Sequence, residues 1–514
     1  MDYQKIIRKT LSLKPRNEEA MLKLVRKETN KLNLPPVNKA TLLSEYHKLA
    51  KKQPELKSEK MEKFLVKRAV RTLSGVTVIS VLTKPLPCPG KCLYCPTEKD
   101  MPKSYLSNEP AVMRAILNKF DPCKQIRMRI QALEANGHNT EKIELIVMGG
   151  TWSCHPSKYQ KWFLKRCFEA LNGKMAGALE HAQEQNETAF HRCIGLTLET
   201  RPDYINKKEI ERLRDFGCTR VELGIQHTDD QVLKLNKRGH KAKESVEAVK
   251  LLKQAGFKIN FHVMLNLPGS TPKKDLEMFK TLYSSPDWRP DMVKIYPCVV
   301  NKFSPLFRLW KEGRYKPYSS KQLLNLIIAI KKITPPWVRI SRLIRDIPAE
   351  SIVAGNKITN LRQIIQQKMG SCRCIRCREA KDRKAGKIKF VMDKYRASEG
   401  TEYFLSFTSL DEKILSAFLR LRIDDDLKKD LPELNGAALI RELHTCGQAV
   451  SLGRTGKIQH LGLGKKLLLE AESVCKKENV GKIAVISGIG VRKYYEKTGY
   501  FLEGTYMVKN LKKR

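Results

Sequence analysis

A chain of 514 residues exceeds what one hydrophobic core usually serves, and its 41% hydrophobic content can supply two or three. No uninterrupted apolar run reaches bilayer length, and the start MDYQKIIRKTLSLKPR lacks the apolar stretch and small-residue cleavage site of a secretory signal, so the expectation is a cytoplasmic enzyme without membrane contact. A formal charge of +44, from 98 Lys and Arg against 54 Asp and Glu, calls for a polyanionic partner, and nucleic acid is the natural one because neutralised phosphates release counterions. A thermophile-like surface would bring matching glutamate, which is lacking here.

Met1 to Arg71 holds 19 Lys and Arg against 8 Asp and Glu, with Ile6, Ile7, Met21, Leu24 and Val25 at helical spacing. A basic helical region over 1–74 is expected, cut into two helical stretches by Pro35 and Pro36. Over 75–335, strand-like runs (VTVISVL, IELIVMGG, IGLTLET, RVELGIQ, INFHVMLNLPG, MVKIYP) alternate with amphipathic helical segments. Six such βα units give an α/β fold with a parallel barrel or partial barrel, whose chemistry gathers where strands end.

The segment CPGKCLYC directly follows the first of these strands. Cys88, Cys92 and Cys95 can hold three irons of a 4Fe–4S cube and leave the fourth iron open to S-adenosylmethionine (SAM). A structural zinc site normally takes four protein ligands, and no fourth Cys or His lies nearby in sequence. Later strand ends supply candidate SAM contacts: Gly149 and Gly150 for close backbone approach, Glu199 and Arg201 for the charged groups, Gln226 for the ribose.

A basic connector over 336–395 contains GSCRCIRCRE. Cys372, Cys374 and Cys377 are too close for a disulfide framework, so zinc with a fourth ligand from elsewhere is the first reading, a second iron–sulfur cluster or free thiols the others. Residues 396–514 read as a small α+β domain, with strands YFLSFTS, AALIRELHT and KIAVISG and a helix from Gly464 to about Glu478. The turn QHLGLG before that helix places Gln459, Gly462 and Gly464 where backbone amides can bind the pyrophosphate of coenzyme A. Tyr494 and Tyr495 are candidates to bind or protonate a leaving thiolate, or merely pack.

CPGKCLYCP, IELIVMGGTW, LTLETRPDYI, VELGIQHTDD, NLPGSTP, CRCIRCRE, RELHTCG, IQHLGLGKKLL and ISGIGVRKYYEKTGY, in this order, resemble the catalytic subunit of Elongator, the tRNA uridine(34) acetyltransferase family. That resemblance implies a radical-SAM barrel docked on a GCN5-related acetyltransferase domain, zinc at the connector, a tRNA-binding N-terminal region, and either a homodimer or Elongator-like partner subunits. It implies acetyl-CoA contacts at Lys142, at Glu442, Leu443, His444 and Thr445, at Ile458, Gln459 and His460, and at Tyr495, with His460, Tyr494 and Tyr495 as catalytic candidates. The implied product is 5-carboxymethyluridine: uracil C5 is a poor nucleophile, so a 5′-deoxyadenosyl radical activates the acetyl methyl group. Protein lysine acetylation by the C-terminal domain alone is the competing function, disfavoured because a cationic enzyme repels cationic tails.

Overall fold

The computed structural model describes residues 2–66, 74–381, 383, 386–427, 430–447 and 462–511. Four helices open the chain, Asp2–Ser12, Glu18–Lys31, Lys39–Lys52 and Glu59–Leu65. Each half expected as one helical stretch is thus a helical pair. Pro15 and Pro54 add breaks to the Pro35–Pro36 one, and Asn17, Asn38 and Ser58 then cap new helices by accepting backbone N–H bonds. Ile6, Ile7, Met21, Val25, Leu42 and Tyr46 bury a core of their own between these helices.

Seven strands form the first sheet: β1 (Thr77–Leu82), β2 (Lys142–Met148), β3 (Arg192–Thr200), β4 (Cys218–Gln226), β5 (Lys258–Leu265), β6 (Met292–Pro297) and β7 (Arg339–Arg342). They lie side by side in chain order, all parallel, as a curled, open part-barrel. β7 is the addition to the six expected strands; RISR is too short and charged to announce itself.

The second sheet comprises β8 (Ile388–Arg396), β9 (Gly400–Ser409), β10 (Leu415–Asp424), β11 (Ala437–Thr445), β12 (Lys482–Val485), β13 (Phe501–Glu503) and β14 (Tyr506–Asn510), in the order 13-14-12-11-10-9-8. Only β11 and β12 pair in parallel; the others are antiparallel. The expected connector gives its first strand, β7, to one sheet and its last, β8, to the other. Helix Leu463–Lys477 covers one face of this sheet through Leu463, Leu467, Leu468 and Ala471. The opposite face meets the barrel: Leu439, Ala484, Ile486, Ile489, Tyr506 and Val508 belong to the same apolar core as the barrel strands.

Candidate active site

At Leu82 the chain leaves β1 into the cysteine loop at the C-terminal edge of the barrel. Cys92 is buried, Cys88 and Cys95 half-buried. A Cβ on Gly90 would lie 3.5 Å from Cys88 Sγ, 3.6 Å from Cys92 Sγ and 2.9 Å from Arg201 Nη1, so the loop backbone runs close to two of its thiols and to the Arg201 guanidinium. Arg238 points Nη1 at Cys92 Sγ (3.6 Å) while bonding the Gly224 carbonyl through Nη2. The guanidinium thus places a hydrogen-bond donor beside the sulfur of a candidate metal ligand. Cys88, Cys92 and Cys95 do not converge on one point as Cys372, Cys374 and Cys377 do, whose sulfurs lie within 4.8 Å of one another. A single zinc ion, with bonds of about 2.3 Å, needs the tight arrangement; a cube of four irons needs the open one.

The other strand ends surround this loop. Gly149 and Gly150 have φ of 135° and 100°, and a Cβ on Gly149 would strike the Thr83 hydroxyl. Gln226 ends β4 at φ 70°, a left-handed conformation uncommon for a residue other than glycine. Arg201 is fixed by Asp203 through Nε and Nη2, both at 2.9 Å. Glu199 accepts from the Tyr105 hydroxyl at 3.0 Å and stands 3.9 Å from Lys294. Burial, reinforced by the neighbouring Glu222, pushes the Glu199 carboxyl up to about 7.

Below these ends the barrel interior is charged rather than filled with aliphatic layers. Glu222 is ion-paired with Lys294, hydrogen-bonded to His262 Nε2 at 2.8 Å, and accepts from Asn260 Nδ2 at 3.0 Å. Burial opposes its ionisation, yet Lys294 and His262 hold its carboxyl well below the usual range. Burial takes His262 down to about 4, which keeps it neutral. One turn of the pleat lower, Glu144 pairs with Arg220.

At the N-terminal edge the second sheet closes the barrel. Arg441 binds Asp291, just before β6, at 3.0 and 2.5 Å, and donates to the Phe257 carbonyl at 2.6 Å. Arg420 donates to the Trp337 carbonyl at 2.7 Å, and Tyr506 to that of Ala255 at 2.7 Å. Gly488 packs so tightly on β3 that a Cβ there would overlap the Ile194 carbonyl. Lys142, exposed, starts β2 at this edge beside Arg192, against which Gly490 packs.

Strand β11 divides its residues between two faces. Glu442 turns to the barrel, 3.6 Å from Lys258 and 2.9 Å from Arg420 Nε, and these cations overcome burial to hold its carboxyl at about 2. His444 faces the same way, whereas Leu443 and Thr445 face the second core and the helix Leu463–Lys477. A Cβ on Gly464 would lie 3.1 Å from Tyr494 Oη and 3.8 Å from Thr445 Cγ2, so Gly464, Thr445 and Tyr494 meet at the start of that helix, which Gly462 caps at φ 70°. Tyr494 is 42% exposed; Tyr495 is 6% exposed and packs edge-on to Tyr500 within the core. Ile458, Gln459 and His460 lie outside the described residues.

At the connector, Lys331 Nζ donates to Cys372 Sγ at 3.2 Å and Cys377 Sγ at 3.4 Å. Among the described residues no Asp, Glu, His or further Cys joins this triad within 4.8 Å. Sequence reading missed Arg238, Tyr105 and Lys294 around the upper site, Lys331 here, and Glu379 and Cys446 beside His444. Each reaches its partner across the fold, so no local spacing marks it.

A model of the Radical SAM superfamily matches residues 87–282, and one of the Radical_SAM C-terminal domain matches 290–371. The chain is 46% identical over 481 residues to a tRNA uridine(34) acetyltransferase of Methanocaldococcus infernus, covering 88% of this chain and 90% of that protein. It is 38% identical over 469 residues to Elongator complex protein 3 of Bos taurus, covering 86% of each. The solved structure of Methanocaldococcus infernus Elp3 with an N-terminal deletion superposes with a TM-score of 0.75 at 43% identity, over 86% of this chain and 100% of that one.

Proposed function

The chain belongs to the tRNA uridine(34) acetyltransferase family, and from that premise we propose that it builds 5-carboxymethyluridine at the wobble uridine of tRNA anticodons from SAM and acetyl-CoA. The observation that carries this reading is that one barrel has the cysteine loop at its C-terminal edge and strand β11 docked on its N-terminal edge, with a charged interior between. Bound at the loop, a 4Fe–4S cluster with SAM supplies the 5′-deoxyadenosyl radical, the hydrogen-abstracting species that an acetyl methyl group requires.

The protein's own groups do the rest. Cys88, Cys92 and Cys95 hold the irons, and Arg238 donates to the Cys92 sulfur. Gly149 and Gly150 let backbone approach the methionine part of SAM, Glu199 and Arg201 meet its charged groups, and Gln226 its ribose. At the other edge a GCN5-related acetyltransferase unit holds acetyl-CoA: the pyrophosphate at the amides after Gly462 and Gly464, the pantetheine arm along Glu442–Thr445, and the leaving thiolate near Tyr494, with Tyr495 backing it and Lys142 reaching in from β2. By the family resemblance Ile458, Gln459 and His460 are further acetyl-CoA contacts. Cys372, Cys374 and Cys377 supply three of the four ligands a structural zinc at the connector would take, with Lys331 as a counter-charge beside their sulfurs.

The +44 charge and the basic N-terminal helices support tRNA as the substrate, and an anticodon base is already single-stranded, so extruding it costs little. Among the described residues no helix is long and apolar enough to cross a membrane. The β11 face that carries Glu442 is turned onto the barrel through Lys258 and Arg420, and the cationic chain repels cationic tails, which argues against tail acetylation. The deciding experiment is anaerobic incubation of the protein with SAM, acetyl-CoA, dithionite and tRNA, followed by nucleoside mass spectrometry. 5-Carboxymethyluridine at position 34 is the expected product; unmodified tRNA with intact cofactor loading refutes the reading.

A further inference from the structure

Beyond Glu442, the barrel-facing side of β11 leads to a group of side chains that the radical chemistry leaves unused. His444, Cys446 and Glu379 bring a ring nitrogen, a sulfur and a carboxylate oxygen within 4.8 Å of one another. Glu379 comes from the segment after the short helix Ile375–Arg378 and is ion-paired with Arg339 at the start of β7. The His444 ring lies against Phe418 of β10, centroids 5.5 Å apart, which fixes its plane. Cys446 is 2% exposed, and its backbone N–H bonds the Ser416 carbonyl at 2.8 Å. Such a histidine beside a carboxylate, on the strand that carries the thioester in the reading above, is a hydrolytic arrangement.

We propose that His444 is the general base for hydrolysis of the coenzyme A thioester and that Glu379, anchored by Arg339, is the carboxylate whose nearby charge stabilises the imidazolium. This rests on acetyl-CoA lying along β11. The oxygen of a water molecule bonds to the thioester carbonyl carbon while His444 takes one of its protons. The C–S bond then breaks with its electron pair leaving on sulfur, and the imidazolium returns the proton to the thiolate. The products are a carboxylate and free coenzyme A; the remaining proton goes to solvent. No electron changes hands and no further reactant is needed.

The neighbours decide why His444, and not another group, plays this part. The groups that face it are Glu379, Arg339, Glu442 and Lys258, together with Cys446 on its own strand segment. Glu442 is held ionised by Lys258 and Arg420 and cannot take a proton near neutrality. Burial pushes the Cys446 thiol well above its ordinary value, so it stays protonated and is no nucleophile. Burial lowers His444, so its neutral, proton-accepting form dominates at pH 7. A metal ion shared by the three groups is the rival reading, and the Arg339 guanidinium already paired to Glu379 works against a second cation there.

The test uses the full chain and measures coenzyme A release from acetyl-CoA in the presence of tRNA, across pH 5 to 8. His444→Gln is expected to lower kcat about 100-fold or more, with the KM for acetyl-CoA within about three-fold, and to erase the acidic limb of the pH profile. Glu379→Gln is expected to lower kcat about ten-fold and shift that limb, and Glu379→Asp to recover part of the loss. A higher KM with unchanged kcat in His444→Gln makes the residue a binding contact only and overturns the proposal. So does one equivalent of bound metal that Cys446→Ser removes together with the activity. A wild-type chain that fails to bind acetyl-CoA in calorimetry instead sinks the acetyl-CoA reading itself, an outcome distinct from both.

Discussion

The two ends of the same barrel are built on opposite principles. At the C-terminal edge the first four strands deliver special residues into an open ring: three thiols after β1, two glycines in positive φ after β2, a half-buried Glu199 on β3 and a left-handed Gln226 on β4. At the N-terminal edge the strands are stoppered by another sheet, and their first residues end in buried ion pairs such as Asp291–Arg441 and contacts such as Gly488 on β3. In ordinary barrels the N-terminal end reads as stability and the C-terminal end as chemistry. In the reaction proposed above the stopper carries the acetyl-CoA strand, and on that reading the end that stabilises would also position a substrate.

The sharpest way to separate the ends is to remove one thiol. Cys92→Ser is expected to abolish 5′-deoxyadenosine formation and the broad iron–sulfur absorbance while thermal unfolding and acetyl-CoA binding persist. If absorbance and deoxyadenosine formation survive, the upper ring is not the radical site. The complementary lesion is Asp291→Ala. It removes one of the two carboxylates paired with the fully buried Arg441, leaving Glu402 at 2.8 Å, and breaking a buried pair costs up to about 3–5 kcal/mol. Chemical denaturation is expected to show that loss, with acetyl-CoA-dependent steps failing before deoxyadenosine formation does. Equal loss of both would mean the ends are one cooperative unit.

Lys142→Ala probes the N-terminal end more gently. The residue is exposed at the head of β2, beside the Arg192 on which Gly490 of the stopper packs. A charge-assisted bond from Lys142 to acetyl-CoA predicts a KM for acetyl-CoA raised about ten-fold, equivalent to about 1.4 kcal/mol, with deoxyadenosine formation in its absence near wild type. Unaltered acetyl-CoA kinetics would make Lys142 a solvated lysine.

The two ends also differed in what could be read from sequence. CPGKCLYC, MGG, ETR and GIQ stand out because strand periodicity locates each edge and the residues there are wrong for a mere strand end. The stopper hid itself. β10, LSAFLRLRID, alternates charge with apolar residues as an exposed strand would, yet Arg420 and Arg422 are 1% and 0% exposed because their partners come from elsewhere in the fold. Cys446 and Glu379 escaped for the same reason, and β7 because four residues carry no period. Local pattern reports local geometry; ion pairs across a docking surface have no local pattern.

The smallest effect tests the ion network of the stopper itself. Lys253, on helix Ala242–Gln254, is fully buried 3.7 Å from Glu402, and burial pulls its ammonium down to about 8. An unfolded lysine titrates near 10.4, so between about pH 8 and 10.4 the unfolded chain binds more protons than the folded one, and stability rises with pH in that window. Below pH 8 both states are protonated and the full penalty for the buried charge remains. Lys253→Met keeps most of the apolar stem and leaves Glu402 its bonds to Arg441 at 2.8 Å and Arg422 at 3.3 Å. Removing the cation is therefore expected to raise stability at pH 7 by on the order of 1 kcal/mol and to flatten the rise between pH 8 and 10. Denaturant unfolding at pH 7, 8, 9 and 10 reads both effects. A variant less stable at pH 7 with the slope intact would show that the Lys253–Glu402 attraction outweighs desolvation, and that the stopper is held by its charges rather than in spite of them.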